Sequence, residues 1–232
     1  MTTNSSTSPP PSAPPRSSKR SQSASAIAQS SEVRARVLAT ARELFVTQGL
    51  NGTSVDAIAK ASNVKIGTIL GLFSNKRELY QACLLVASEE LATFRSGLES
   101  VLTAKECSPT EMLAETVRFS FRFAREHQLA IRLVQRSAIA VSDEERLTNE
   151  QVYAAADGLS ELLGRIQPQS PQALRFAGRS ISTLVARYAL ASEREIEALL
   201  GLEGRDSAET NAALERYVVE AAARLLGFRP AA

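Results

Sequence analysis

Apolar residues recur at helical intervals along most of the chain, and no stretch alternates apolar with polar in the two-residue period of a strand. The fold class expected is therefore all-α. The pattern is densest over residues 53–76, TSVDAIAKASNVKIGTILGLFSNK. Thr53 or Ser54 can cap a first short helix, in which Val55, Ile58 and Ala59 fall at i, i+3 and i+4. The pattern breaks around Ser62 and Asn63, as a turn requires. A second helix over about 65–73 puts Ile66, Ile69, Leu70 and Phe73 on one side. Its other side shows Lys65, Gly67, Thr68, Gly71 and Leu72. Two packed helices joined by a short turn, with one cation and a face open to close approach, suit insertion into a DNA major groove.

The remaining elements are read the same way. Ahead of this unit, Val33, Val37, Ala41, Leu44 and Phe45 form the stripe of a helix starting at Ser30 or Ser31 and ending at a left-handed cap on Gly49. Arg34 and Arg36 lie off that stripe, as phosphate contacts or as plain solvated charges. Two interior glycines each cost a helix about 1 kcal/mol relative to alanine, so Gly67 and Gly71 suggest that something approaches the backbone there. Thr68 can then bond a base edge or a phosphate, and Leu72 either covers a thymine methyl or packs on a neighbouring helix.

After the unit, Asn75 and Glu78 resemble a capping box. Lys76, beside the free amides of that helix start, is the foremost phosphate candidate. The helix it opens runs on through Leu79, Leu84, Leu91, Phe94, Leu98 and Leu102. Further helices are expected over 110–126, 127–140, 142–167, 172–191, 193–200 and 208–227.

Charge sharpens the division. Residues 1–80 carry ten Lys/Arg against four Asp/Glu, whereas 81–232 carry seventeen against twenty-one, so a net charge of +2 hides a basic front and an acidic rear. Residues 1–30 are Ser, Pro and Ala with Arg16, Lys19 and Arg20 and no acid, the composition of a disordered tail, whether a solvated leader or a DNA-binding arm. No apolar run approaches the ~18 residues of a membrane span, and the start of the chain lacks an export signal's apolar core. A cytoplasmic protein is expected. Cys83 and Cys107 have no nearby His or CxxC partner and are expected as inert thiols, with a redox switch the alternative.

From about Val33 to Leu91 the chain resembles the DNA-binding domain of TetR-family transcriptional repressors. The carriers are Ala41, Leu44, Phe45 and Gly49, then Thr53-Ser54-Val55, Ile58-Ala59, Ala61 and Val64, then Gly67-Thr68, Phe73, Lys76 and Leu79. It departs from the family's usual serine at Lys65, aromatic at Leu70 and His or Tyr at Leu72. The resemblance implies three parts: a tail over 1–30, a helix-turn-helix domain over 31–91 and a helical ligand-binding and dimerisation domain over 92–232. DNA contacts are expected from Arg34, Arg36, Thr53, Ser54, Lys65, Ile66, Gly67, Thr68, Gly71, Leu72 and Lys76.

In this family the last two long helices build a dimer interface. The apolar stripes here are Ala177, Ile181, Leu184 and Tyr188, and Leu214, Val218, Ala221 and Leu225; on spacing alone they are equally suited to intramolecular burial. The family's small-molecule pocket lies among the middle helices, where Phe94, Met112, Phe119, Phe123, His127 and Tyr153 are candidate lining or ordinary core.

The function implied is a homodimeric repressor of a palindromic double-stranded DNA operator, released by a small apolar effector. The alternatives are a TetR-like activator, or a helical ligand-binding or interaction protein with weakened DNA contacts, which Leu70 and Leu72 motivate. One histidine, no metal-ligand cluster, no GxSxG and no phosphate loop leave no catalytic set, metal site or cofactor to expect. Glu89 and Glu90 read as a solvated acidic patch.

Overall fold

The structure, a computed structural model, describes residues 17–103, 108–138, 164, 170–202, 204 and 206–228. Its helices are α1 (Ser17–Gly52), α2 (Val55–Ser62), α3 (Ile66–Leu72), α4 (Lys76–Thr103), α5 (Pro109–Glu126), α6 (Gln128–Ala138), α7 (Pro171–Ala189), α8 (Glu193–Leu200) and α9 (Ser207–Leu225). Among the described residues there is no strand. Cys107 and Tyr153 lie outside them, as does the helix expected over 142–167 apart from Gly164.

α1 starts well before the expected Ser30, so residues 17–29 of the expected disordered tail are helical. No Pro or Gly interrupts 17–48, and extending an existing helix is far easier than nucleating one. Near its other end Gly49 has φ 76° and ψ 175°. The positive φ matches the expected cap, but ψ is extended rather than left-handed helical, a combination open essentially to glycine alone. The helix turns there and resumes for one short stretch to Gly52. Arg136 of α6 lies against this bend, and a Cβ on Gly49 would run into its guanidinium.

Two buried clusters organise the helices. The first holds Val37, Ala41 and Phe45 of α1, Ile58 and Ala59 of α2, Ile69 of α3 with Phe73 just beyond it, and Leu79, Tyr80, Cys83, Leu84 and Ala87 of α4. It also takes in Ala130 and Leu133 of α6, far outside the span of the helix-turn-helix unit. The Phe45 and Tyr80 rings meet edge to face at 5.0 Å, fixing α1 on α4. Arg42 of α1 donates to both oxygens of Glu90 of α4, at 2.6 and 2.8 Å. Glu90 is thus no part of a solvated patch; the two-pronged geometry is the stronger form of ion pair.

The second cluster joins Leu98 near the end of α4 to Leu113, Val117 and Phe121 of α5, Ile181 and Val185 of α7, Ile196 of α8, and Leu214, Val218 and Ala222 of α9. Ser108 and Glu111 close a reciprocal capping box at the start of α5. Arg125 donates to the carbonyls of Ala189 and Ala191 at 3.3 and 3.2 Å and to Asn211 Oδ1 at 2.9 Å. Arg132 donates to the Leu190 carbonyl at 2.5 Å. Two cations therefore meet the unsatisfied carbonyls and the negative dipole end of α7. With 28 residues, α4 is about 40 Å long and, among the described residues, is the one helix contributing buried residues to both clusters. No helix among the described residues is long and apolar enough to cross a membrane.

Candidate nucleic-acid interface

α2 and α3 are held at their joints by local bonds. The Ser54 hydroxyl caps α2 by accepting from the Ala57 amide at 3.0 Å. Losing such a cap costs about 1 kcal/mol. α2 ends on Asn63 at φ 53° and ψ 45°, a left-handed position that asparagine tolerates better than most residues. The Val64 amide then bonds back to the Ala59 carbonyl at 3.0 Å, and the chain leaves directly into α3.

Thr53, expected among the DNA contacts, is buried. Its hydroxyl donates to the Gly49 carbonyl at 2.7 Å and sits 3.2 Å from that of Leu44. Its work is to tie down the carbonyls that the bend in α1 releases. The Thr53 carbonyl in turn accepts from Lys76 Nζ at 3.0 Å, so Lys76 is half-buried and latched to the α1–α2 joint. At the start of α4, Asn75 Oδ1 accepts from the Glu78 amide at 2.9 Å, as expected of a cap. Glu78 Oε2 reaches back to the amide of Ser74 at 2.9 Å, one residue beyond the expected Asn75. Those bonds to Ser74 hold the Glu78 carboxyl below its ordinary pKa.

The faces of α3 differ from the sequence pattern. Ile69 and Phe73 are buried as expected, but Ile66 and Leu70 are 41% and 45% exposed. Leu72 takes their place, half-buried and packed on the first cluster. A seven-residue helix lying across α1 and α2 buries a narrow arc, and 69, 72 and 73 share that arc more closely than 66 and 70 do. Lys65, Gly67, Thr68 and Gly71 are all exposed, and a Cβ on either glycine would meet nothing within 4 Å. Of the arginines on α1, Arg34 stacks over the Phe73 ring at 4.5 Å. Arg36 is exposed on the same helix. The structure therefore brings Ser54, Lys65, Ile66, Gly67, Thr68, Leu70 and Gly71 to the surface of the unit and withdraws Thr53 and most of Leu72.

In the rear, the candidate lining residues pack on one another. The Phe94 ring lies 5.6 Å from that of Phe119 and 5.1 Å from that of Phe123, and the His127 ring follows 4.2 Å from Phe123. Met112 is half-buried against the second cluster. Gly97, not anticipated from the sequence, makes room for this stack: a Cβ there would collide with the tip of Phe119. Its signal was a lone glycine inside an otherwise unbroken helical pattern.

The expected dimer stripes need correcting. Ile181, Leu214 and Val218 are fully buried within the chain, and Ala177, Leu184 and Tyr188 pack against the same cluster. α7 and α9 both pack on α5 and on each other, which uses those faces internally. Ala221 is half-buried and Leu225 is 53% exposed. The large apolar side chains left outside on these helices are Phe176, at 68% exposure, Tyr217 and Leu225. Among the described residues no group of three or more His, Cys, Asp or Glu is placed to hold a metal.

Comparison with known proteins bears on the same region. Residues 37–83 match the family model for bacterial regulatory proteins of the tetR family. Over 74 residues the chain is 35% identical to the HTH-type transcriptional regulator UidR of Escherichia coli K12, a stretch covering 32% of this chain and 38% of that protein. A bacterial regulatory protein in the tetR family from Rhodococcus RHA1 superposes with a TM-score of 0.60 at 17% identity, covering 85% of this chain and 98% of that one. The fatty acid degradation regulator FadR from Bacillus halodurans gives 0.54 at 19% identity, covering 81% and 94%. At such identities the likeness is one of fold.

Proposed function

We propose, from the match of residues 37–83 to the family model for bacterial regulatory proteins of the tetR family, that this chain is a homodimeric repressor that binds a palindromic operator through α3 and is released by an apolar small molecule. The observation that carries this is the state of α3. Its anchoring residues Ile69 and Phe73 are buried, while Lys65, Gly67, Thr68 and Gly71 stand exposed together. A helix so placed presents its backbone and short side chains to a groove. Ser54, Lys65 and Arg36 supply the flanking contacts to phosphate. Lys76 adds to them, because an ammonium has three protons and its bond to the Thr53 carbonyl uses one.

Dimerisation follows from the geometry of reading DNA, since two recognition helices one turn apart, about 34–36 Å, match a two-fold site. We assign the contact to Phe176, Tyr217 and Leu225, with Ala221 allowing close approach. The effector would enter the aromatic stack of Phe94, Phe119 and Phe123 and act through α4, which borders both buried clusters. The fold shared with a regulator of fatty acid degradation puts fatty acids first in a screen of apolar effectors.

The test is binding of the purified chain to duplex DNA from its own upstream region and to a genomic fragment pool, at low and high salt. A two-fold footprint, weakened by salt and by Thr68→Ala or Lys65→Ala, is the expected result. Absence of any specific fragment from the pool would leave the alternative of a helical interaction protein with weakened DNA contacts.

A further inference from the structure

The exposed side of α3 is apolar at its centre. Ile66 and Leu70 stand one helical turn apart, each nearly half exposed, and neither is needed to close the buried cluster beneath, which Ile69, Leu72 and Phe73 complete. Gly67 and Gly71 follow them at the same one-turn interval, with open space where a side chain would be. Nothing packed against those glycines inside the chain excludes a Cβ. The hydrogen-bonding side chains on this exposed side are Lys65, at its edge, and Thr68.

A base-reading surface so poor in donors and acceptors has one feature of the major groove to recognise by apolar contact, the C5-methyl of thymine. We propose that Ile66 and Leu70 are specificity-determining residues that cover thymine methyls, with Gly67 and Gly71 letting the backbone come close enough for their branched ends to reach the base edges. The occupant of this face is duplex DNA. Lys65 borders the apolar patch with positive charge, and the patch lies within the unit that the family model covers. The inference rests on the DNA-binding reading and adds the chemistry that α3 recognises: operator half-sites are selected for thymine.

The experiment selects duplexes from a randomised pool with the full chain, then replaces the thymines of the selected half-site one at a time by deoxyuridine, which lacks only the methyl. Burial of one such carbon group is worth about four-fold in affinity, so a loss of that size is expected at two or more thymines. In Leu70→Ala the loss disappears at one subset of these thymines, and in Ile66→Ala at another, while both variants keep the parent's thermal midpoint. Deoxyuridine duplexes that bind like the parent, or methyl penalties unchanged in both variants, overturn the inference while leaving DNA binding intact. A pool from which nothing is enriched overturns both readings. If instead Leu70→Ala alters the oligomeric state and no thymine shows a methyl penalty, the patch serves a second copy of the chain and the inference fails.

Discussion

Burial pushes the Cys83 thiol from its ordinary 9.0 up to about 12, although the nearby charges of Arg42 and Arg34 pull the other way. The folded chain thus holds the neutral thiol at pH values where the unfolded chain has lost the proton. The stability this contributes is complete below about pH 9 and is lost as pH rises to about 12. In a Cys107→Ser background, a disulfide reagent at mildly alkaline pH should leave the native protein almost unmodified and label it promptly once unfolded. Fast labelling of the native form would show that the pocket between α1 and α4 opens readily. At this scale the sequence is legible where a residue has one role and misleading where it has two. Cys83 reads as an inert thiol and is buried. Thr53 carries the same hydroxyl whether it faces a phosphate or the released carbonyls of Gly49, and spacing does not distinguish the two. Ile66 and Leu70 share a helical phase with Phe73, so periodicity places them inside. Only the narrowness of the contact between a two-turn helix and its support puts them outside.

At the scale of elements, α4 and α5 meet through a notch. Gly97 accepts the tip of the Phe119 ring, which also packs against the rings of Phe94 and Phe123. Alanine at 97 would add roughly 1 kcal/mol of helix propensity, against about 1–3 kcal/mol for forcing a ring out of a packed position. The larger effect is the second, so Gly97→Ala is expected to lower the thermal midpoint, and Phe119→Leu in the same chain to recover most of the loss. A stabilised Gly97→Ala protein would mean that the ring yields freely. The helices themselves were legible from period and punctuation: Ser54 and Asn75 cap where their spacing indicates, whereas the cap of α5 is Ser108, two residues before the expected start at 110. The start of α1 was not, because composition argues for disorder, and the lower cost of extending an existing helix leaves no mark in the sequence.

For the whole molecule, the apolar stripes of α7 and α9 fit a dimer seam and an internal core equally well, and spacing alone does not choose. Once Ile181, Leu214 and Val218 are seen to fill the core, Phe176, Tyr217 and Leu225 remain as the large apolar side chains exposed on these two helices. Light scattering of Phe176→Asp should report a shift from dimer toward monomer, with operator affinity falling in step. A dimer unchanged in that variant would place the contact on another face.

The membership of α6 in the front cluster has a consequence for modularity. Ala130 and Leu133 fill space that residues 31–91 leave open, and Arg136 lies along the Gly49 bend. A fragment cut after Leu91 would therefore carry a raw apolar scar where α6 had been. Chimaeras that trade DNA specificities between relatives would have to carry α6 with the reading head, or match its Ala130 and Leu133 from the recipient. The seam along which this protein can be recombined runs through space between helices, and no single point in the chain marks it.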